Sequence, residues 1–400
     1  MKYIIVLGDG MADEPIEKLN GKTPLEYANT PIMDMLAPKS EIGLMKTVPD
    51  GMKPGSDTAN LAVLGYNPKK YYSGRSPLEA LSIGIDMENT DIAIRCNIVT
   101  LSDDGLPYEQ KKIIDHSSGE ITTEEAAELI DAVKKDLENE SYKFYVGTSY
   151  RHLTIWKNGR VTEFTQPHDI LGKTIDKYLP SEPDFSYMMK RSFKILNEHP
   201  INIKRQEKGL NKANSLWFWG AGTKPKLDSF EKVNNKKGVM ISAVDLLKGI
   251  AVGSKMKVIN VDGADATLNT NYEGKAKACV DALLKDNFDF AYVHIEAPDE
   301  MGHQGNIENK IKSIEYLDKR VIKIIYEELK KSGEDFRLLI TPDHPTPIYC
   351  RTHTSSPVPY LLYDNTNEQK NTWLYNEKEA QKSGNFIEKG YTFINKLFNN

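Results

Sequence analysis

Cysteine is scarce: the chain has three, Cys96, Cys279 and Cys350, far apart and with no CxxC pair. That spacing excludes a disulfide framework and a cysteine zinc site, and it points to a reducing compartment, the cytoplasm. Long apolar runs are also missing, since no stretch approaches the roughly 18 residues of a membrane span. The run from Tyr3 to Leu7 is too short for a signal peptide and meets Gly8-Asp9-Gly10 at once, so it reads as a buried strand. Neither sign of charge dominates. The net charge is -5, and pairs such as Lys134-Lys135 or Lys236-Lys237 are isolated, so neither nucleic acid nor an anionic membrane is an expected partner. The GxxxxGK[ST], GxSxG and HExxH patterns are absent, which excludes the phosphate loop, the nucleophile elbow and the zincin helix. No repeat or low-complexity tract is visible. What remains is a globular composition, 39% hydrophobic and 27% charged, in a chain long enough for two domains.

Three segments share one pattern, a short β-branched or aromatic run that stops near an acidic residue. They are Tyr3 to Leu7 before Asp9, Phe290 to Ile295 before Asp299, and Leu338 to Ile340 before Asp343. Unbroken apolar runs of this length suit strands buried on both faces of a parallel sheet. Ile307, Ile311, Ile314, Leu317, Val321 and Ile325 keep the three-to-four spacing of an amphipathic helix. Strands alternating with helices predict a doubly wound, mostly parallel α/β sheet. Its ligands would sit beyond the carboxyl ends of the strands, where Asp9, Asp299 and Asp343 fall.

The segment 88–184 reads differently. Asp91 to Val99 and His152 to Trp156 alternate, as half-exposed strands do. Thr122-Thr123-Glu124-Glu125 carries a capping box at a helix start. The expectation is an α+β cap over 88–184, ending at Pro180 and Pro183, inserted into a larger domain made of 1–87 and 185–400. Gly220-Ala221-Gly222 reads as a turn after Leu216 to Trp219.

Asp299-Glu300-Met301-Gly302-His303 places a carboxylate and an imidazole one helical turn apart, just past a strand. Asp343-His344 sets two ligand types side by side, and His353 follows. Mixed nitrogen and oxygen donors suit zinc or manganese better than calcium or magnesium. Singly, each has a bland reading: a chance DxxxH, a turn with a helix cap, and for His294 a hydrogen-bonded core histidine. Acidic strand ends in three places together favour a metal centre. Ser56, in a Pro- and Gly-rich loop before Ala59 to Leu64, is the candidate nucleophile. Unpaired N–H groups at a helix start favour a phosphate, and a metal ion can activate the hydroxyl. The alternative is that Ser56 only caps that helix.

The chain resembles the archaeal-type, cofactor-independent phosphoglycerate mutases of the alkaline phosphatase superfamily. The likeness runs through Gly8-Asp9-Gly10-Met11-Ala12-Asp13, the stretch from Pro54 to Tyr66, Tyr71-Tyr72-Ser73-Gly74-Arg75 and Arg95-Cys96-Asn97. It continues through Ala297 to His303, Asp343-His344-Pro345-Thr346-Pro347 and Arg351-Thr352-His353-Thr354. The resemblance implies a fold of alkaline-phosphatase type and two divalent ions, manganese or zinc first and magnesium as a further option. Asp299, His303 and His353 would hold one ion, and Asp9, Ser56, Asp343 and His344 the other. It also implies no need for 2,3-bisphosphoglycerate. Phosphoglycerate, a small phosphorylated metabolite, would give its phosphoryl group to Ser56 and take it back on its other hydroxyl, interconverting 3- and 2-phosphoglycerate, with Lys275 as the family's active-site lysine. Arg95, Arg151 and His168 are candidate holders of the substrate's anionic groups, with Asn97 a further contact.

One departure bears on the substrate. Archaeal members carry Asp-Arg-Arg-Ala-Gly-Arg-Ile where this chain has Asp115-His116-Ser117-Ser118-Gly119-Glu120-Ile121. Arginines clamp carboxylates and phosphates, and a glutamate inverts that charge. Similar bacterial proteins form a proposed homoserine kinase branch; on that reading Glu120 would pair with the substrate ammonium, and the alternative is that its loop lies on the cap surface and touches nothing. A metal-dependent phosphohydrolase, with water resolving phospho-Ser56, is the third reading. A pure binding module leaves the ligand set unexplained.

Overall fold

A computed structural model describes residues 1–398. The chain divides into two compact units: Met1–Tyr72 together with the chain from Lys226 onward, and Ser73–Pro225. Among the described residues, no helix is long and apolar enough to cross a membrane.

The first unit is built on an eight-stranded sheet. Its order is Phe386–Ile387, Ser40–Met45, Val358–Asp364, Phe336–Thr341, Lys2–Gly8, Phe290–Ile295, Gly238–Ile241 and Lys257–Ile259. Only Val358–Asp364 runs against its neighbours. The expected apolar runs form the centre. Ile4, Val6, Val293, Leu338 and Ile340 are buried together with Ala276, Cys279 and Leu283 of the helix Tyr272–Leu284. The parallel register sets Gly8 opposite Ile295 and Leu7 opposite Thr341. These strand ends are therefore level, and Asp9, Asp299 and Asp343 leave the sheet at one edge.

The long amphipathic helix differs from expectation. It runs as an α-helix over Ile307–Tyr316, a π-helical stretch over Leu317–Ile322, and an α-helix again over Lys323–Ser332. Ile314, Leu317, Val321 and Ile325 are buried, but Ile307 and Ile311 are only half-buried, and Lys310 is fully buried in their place. The wider π turn changes the residue spacing, so a single 3.6-residue stripe does not describe both halves.

In the second unit, Ile92–Leu101 lies between Arg151–Trp156 and Ser215–Thr223, antiparallel to both. Tyr142–Thr148 extends the sheet, and the helices Thr123–Leu137 and Pro183–Leu196 pack on it. Half of the expected capping box is present: Thr122 caps the helix by accepting from the Glu125 N–H, while the Glu125 carboxylate turns to Arg205. The limits 88–184 are too narrow. The helix Arg75–Ser82 and the strand Ser215–Thr223 belong to this unit, because Ile92–Leu101 needs a second antiparallel neighbour. Pro183 marks no exit, since it opens the first turn of Pro183–Leu196. Ile92–Leu101 is buried along its whole length, not half-exposed. Gly220-Ala221-Gly222 is no turn either. It lies within the strand Ser215–Thr223, where the pairing slips between Ala93 and Arg95 and Gly220 takes φ +67, the signature of a bulge.

Candidate active site and metal centre

The helix Ser56–Val63 begins at the candidate nucleophile itself, with Gly55 at the cap position. Ser56 is thus not the cap, and its hydroxyl is turned elsewhere. Ser56 Oγ lies 3.1 Å from His344 Nε2 and 3.5 Å from Asp9 Oδ2. Asn60, one turn on, holds this helix in place. Its amide donates to the Ser56 carbonyl and to Asp343 Oδ2, both at 2.8 Å, and its oxygen accepts from Tyr292.

Asp9, Asp343 and His344 are buried around the same point. His344 Nε2 stands 3.5 Å from Asp9 Oδ1 and 3.4 Å from Asp343 Oδ2. Asp9 Oδ1 accepts no hydrogen bond from any described residue. Burial, with Asp343, Asp299 and Glu296 nearby, raises the Asp9 carboxyl well above its usual range. A buried acceptor without a donor, among like charges, fits a cation. Gly10 admits no side chain here. It has φ +60, and a Cβ would lie 2.5 Å from both Asp299 Oδ1 and Thr346 Oγ1.

A second set is formed by Asp299 and His303 on the helix Ala297–Gln304 and by His353. His303 Nε2 is 3.2 Å from Asp299 Oδ2 and 2.9 Å from His353 Nε2, which is 3.4 Å from Asp299 Oδ1. Two imidazole nitrogens and a carboxylate converging this closely are the donor set that zinc and manganese take. His303 Nδ1 donates to the Arg351 carbonyl at 3.0 Å, so Nε2 is the nitrogen that faces the site, holding a proton for Asp299 here and offering a lone pair to an ion once that proton leaves. Burial opposes the Asp299 charge, yet hydrogen bonds from His303 and His353 hold it well below the usual range. The bond to Asp299 lifts His303 to about 9.

Sequence reading missed part of this arrangement. His294 is indeed a buried, hydrogen-bonded histidine, but its Nε2 meets Asp9 Oδ2 at 2.9 Å and its Nδ1 meets Ser242 Oγ at 3.2 Å. Burial pushes it far below its usual pKa, so it stays neutral and its Nε2–H donates to Asp9. A histidine as the penultimate residue of a strand that runs beside the Asp9 strand was the available signal. Lys275 is buried, lowered to about 8 chiefly by burial, and donates to the His294 carbonyl at 3.1 Å.

The other candidates lie in the second unit. Arg95 forms a forked pair with Glu79, at 2.7 and 2.5 Å, and stacks 4.5 Å from the Trp219 ring. Arg75 shares that glutamate at 2.9 Å. Asn97 accepts from Trp219 Nε1 at 3.0 Å and donates to the His116 carbonyl at 3.4 Å. The His168 ring meets those of Trp219 and His116, at 5.6 and 6.1 Å. Arg151 is exposed, 5.5 Å from the Tyr150 ring. Glu120 is exposed, with φ +51, in a loop where Ser118 and Gly119 also have positive φ. Arg95, Asn97 and His168 therefore gather at Trp219, and Arg151 and Glu120 act on Tyr150, whose ring meets that of His116 at 5.7 Å. Glu79, whose charge the two arginines sustain against burial, went unread because it resembles an ordinary helix-surface partner four residues after Arg75.

A family profile described as 2,3-bisphosphoglycerate-independent phosphoglycerate mutase matches residues 37–202. A protein of that name from Methanosarcina barkeri is 48% identical over 389 residues, 96% of each chain. A solved protein of Pyrococcus horikoshii superposes with a TM-score of 0.82 at 30% identity, covering 100% of this chain and 97% of the other. The cofactor-independent phosphoglycerate mutase of Thermoplasma acidophilum gives 0.66 at 27%, covering 100% and 99%.

Proposed function

The chain belongs to the 2,3-bisphosphoglycerate-independent phosphoglycerate mutase family, and from that premise we propose that it interconverts 3- and 2-phosphoglycerate by way of a phosphoryl group on Ser56. The relatives' name speaks for phosphoglycerate over the homoserine that Glu120 suggested. The observation that carries the proposal is the approach of Ser56 Oγ, Asp9, Asp343 and His344 to one point, 3.1–3.5 Å apart.

The two ligand sets are proposed to hold two divalent ions, manganese or zinc before magnesium. Bound there, such ions would favour the Ser56 alkoxide and offset the charge of the transferring phosphoryl group. The residues supply the rest. Ser56 Oγ gives up its proton, which is directed at Asp9 Oδ2, and forms the bond to phosphorus as the bond to the substrate oxygen breaks and that oxygen takes a proton. The glycerate then turns, and its other hydroxyl takes the phosphoryl group as the Ser56–phosphorus bond breaks, the proton of that hydroxyl being returned to Ser56 Oγ. Asn60 keeps the Ser56 helix and Asp343 in register throughout. Lys275 supplies buried positive charge, and the second unit's Arg95, Asn97, Arg151, His168 and Glu120 belong to the proposed substrate contacts. Arg95 does so as half of its pair with Glu79.

The test is covalent. Incubation with phosphoglycerate should add the mass of one phosphate to the peptide containing Ser56. Ser56→Ala should lose both label and interconversion while still binding manganese. Near-normal turnover in Ser56→Ala refutes the assignment.

A further inference from the structure

We infer that Thr346, a member of neither ligand set, is a positioning residue for both; the inference rests on the metal reading above. Its side chain is fully buried. Its Oγ1 donates to Asp299 Oδ1 at 2.5 Å and lies 3.3 Å from His344 Nδ1. A hydroxyl has one hydrogen and two lone pairs. With the hydrogen given to Asp299, Oγ1 can only accept from the imidazole, so the proton of neutral His344 sits on Nδ1. His344 Nε2 then keeps its lone pair toward Ser56, Asp9 and Asp343. One hydroxyl thus sets the tautomer of a ligand in the first set and the carboxylate orientation of a ligand in the second.

Thr346 is itself firmly held. Its N–H donates to the Ala12 carbonyl at 3.2 Å, and its carbonyl accepts from Lys310 Nζ at 2.8 Å. Lys310 is fully buried and also donates to Asp13 Oδ2 at 2.7 Å and to the Ala12 carbonyl at 3.3 Å. This accounts for the lysine on the inner face of Ile307–Tyr316: it ties the segment after Asp9 to the segment after His344. From the other side, the helix carrying Asp299 and His303 presses close. A Cβ on Gly302 would stand 2.5 Å from the Thr346 carbonyl oxygen and 2.8 Å from its Cγ2. Thr346 is therefore fixed against every segment that supplies Asp9, Asp299, His303 and His344.

Thr346→Val keeps the shape and removes the hydroxyl, whereas Thr346→Ser keeps the hydroxyl. Metal-stripped wild type and both variants would be titrated with manganese alone by calorimetry, with circular dichroism reporting the fold. Thr346→Val should bind both ions about 10–100-fold more weakly, the usual effect of losing an outer partner of a metal ligand. Thr346→Ser should stay close to wild type. If the valine does not fit, Thr346→Ala removes the hydroxyl without adding bulk and is read in the same way. Wild-type affinity for both ions without the hydroxyl overturns the inference, and so does weakening of only one ion. Failure of the wild type to bind manganese, zinc or magnesium is a separate outcome that refutes the metal reading itself.

Discussion

Asp9→Asn should stabilise the metal-stripped protein and at the same time weaken its response to ions. In the wild type, Asp9 Oδ1 is buried without a hydrogen-bond donor, beside Asp343, Asp299 and Glu296. An unsatisfied buried acceptor costs about 1–3 kcal/mol, and more when charged. An asparagine keeps an oxygen for the His294 Nε2–H and offers an N–H toward Asp343. The stripped variant should therefore unfold about 1–3 kcal/mol later than the stripped wild type. Adding ions reverses the order. At a hundredfold excess over Kd, one bound ion contributes about 2.7 kcal/mol, so two give the wild type about 5 kcal/mol, or roughly 10–20 °C in Tm for a unit of this size. The variant should gain only the half contributed by Asp299, His303 and His353. Scanning calorimetry of both proteins, stripped and with manganese, gives four midpoints. Equal midpoints for stripped and loaded wild type, or a stripped Asp9→Asn less stable than stripped wild type, would refute the reasoning.

Stability should also fall between acid and alkaline pH through Glu377. Burial raises this carboxyl from 4.5 to about 7, so the folded protein holds the proton more tightly than the unfolded chain. Its contribution of about 3 kcal/mol is complete below pH 4.5 and is lost as pH rises through 7. Urea unfolding at pH 5 and pH 9 should show this slope in the wild type and a flatter one in Glu377→Gln. Arg95→Met should destabilise the second unit by about 3 kcal/mol, because it leaves Glu79 buried with only Arg75 as partner. Adding Glu79→Gln should recover part of that loss in denaturant melts followed by tryptophan fluorescence. A neutral Arg95→Met would show that the pair contributes nothing to the fold.

Local patterns carried far at the strand ends. A strand buried on both faces must be apolar throughout, so Tyr3 to Leu7, Phe290 to Ile295 and Leu338 to Ile340 advertise themselves, and the first charged residue beyond them marks the edge of the sheet. The ligand types are equally visible, because carboxylate and imidazole are scarce beside such runs. The second unit was less legible. Ile92–Leu101 alternates as though one face met solvent, but Arg95 and Asn97 are buried beneath Glu79 and Trp219, and nothing local announces a buried ion pair.

By itself the sequence determined the α/β class, the three acidic strand ends, the serine at a helix start and the family to which these motifs belong. Each depends on residue type and on spacing within a few positions. Only the tertiary structure decided what those residues meet. That His294 touches Asp9, that Asn60 binds Asp343, and that Thr346 lies between the ligand sets above a buried Lys310 are contacts between residues 36 to 285 positions apart. Such contacts are set by parallel register and by the packing of the Ile307–Tyr316 helix, and no local periodicity records them.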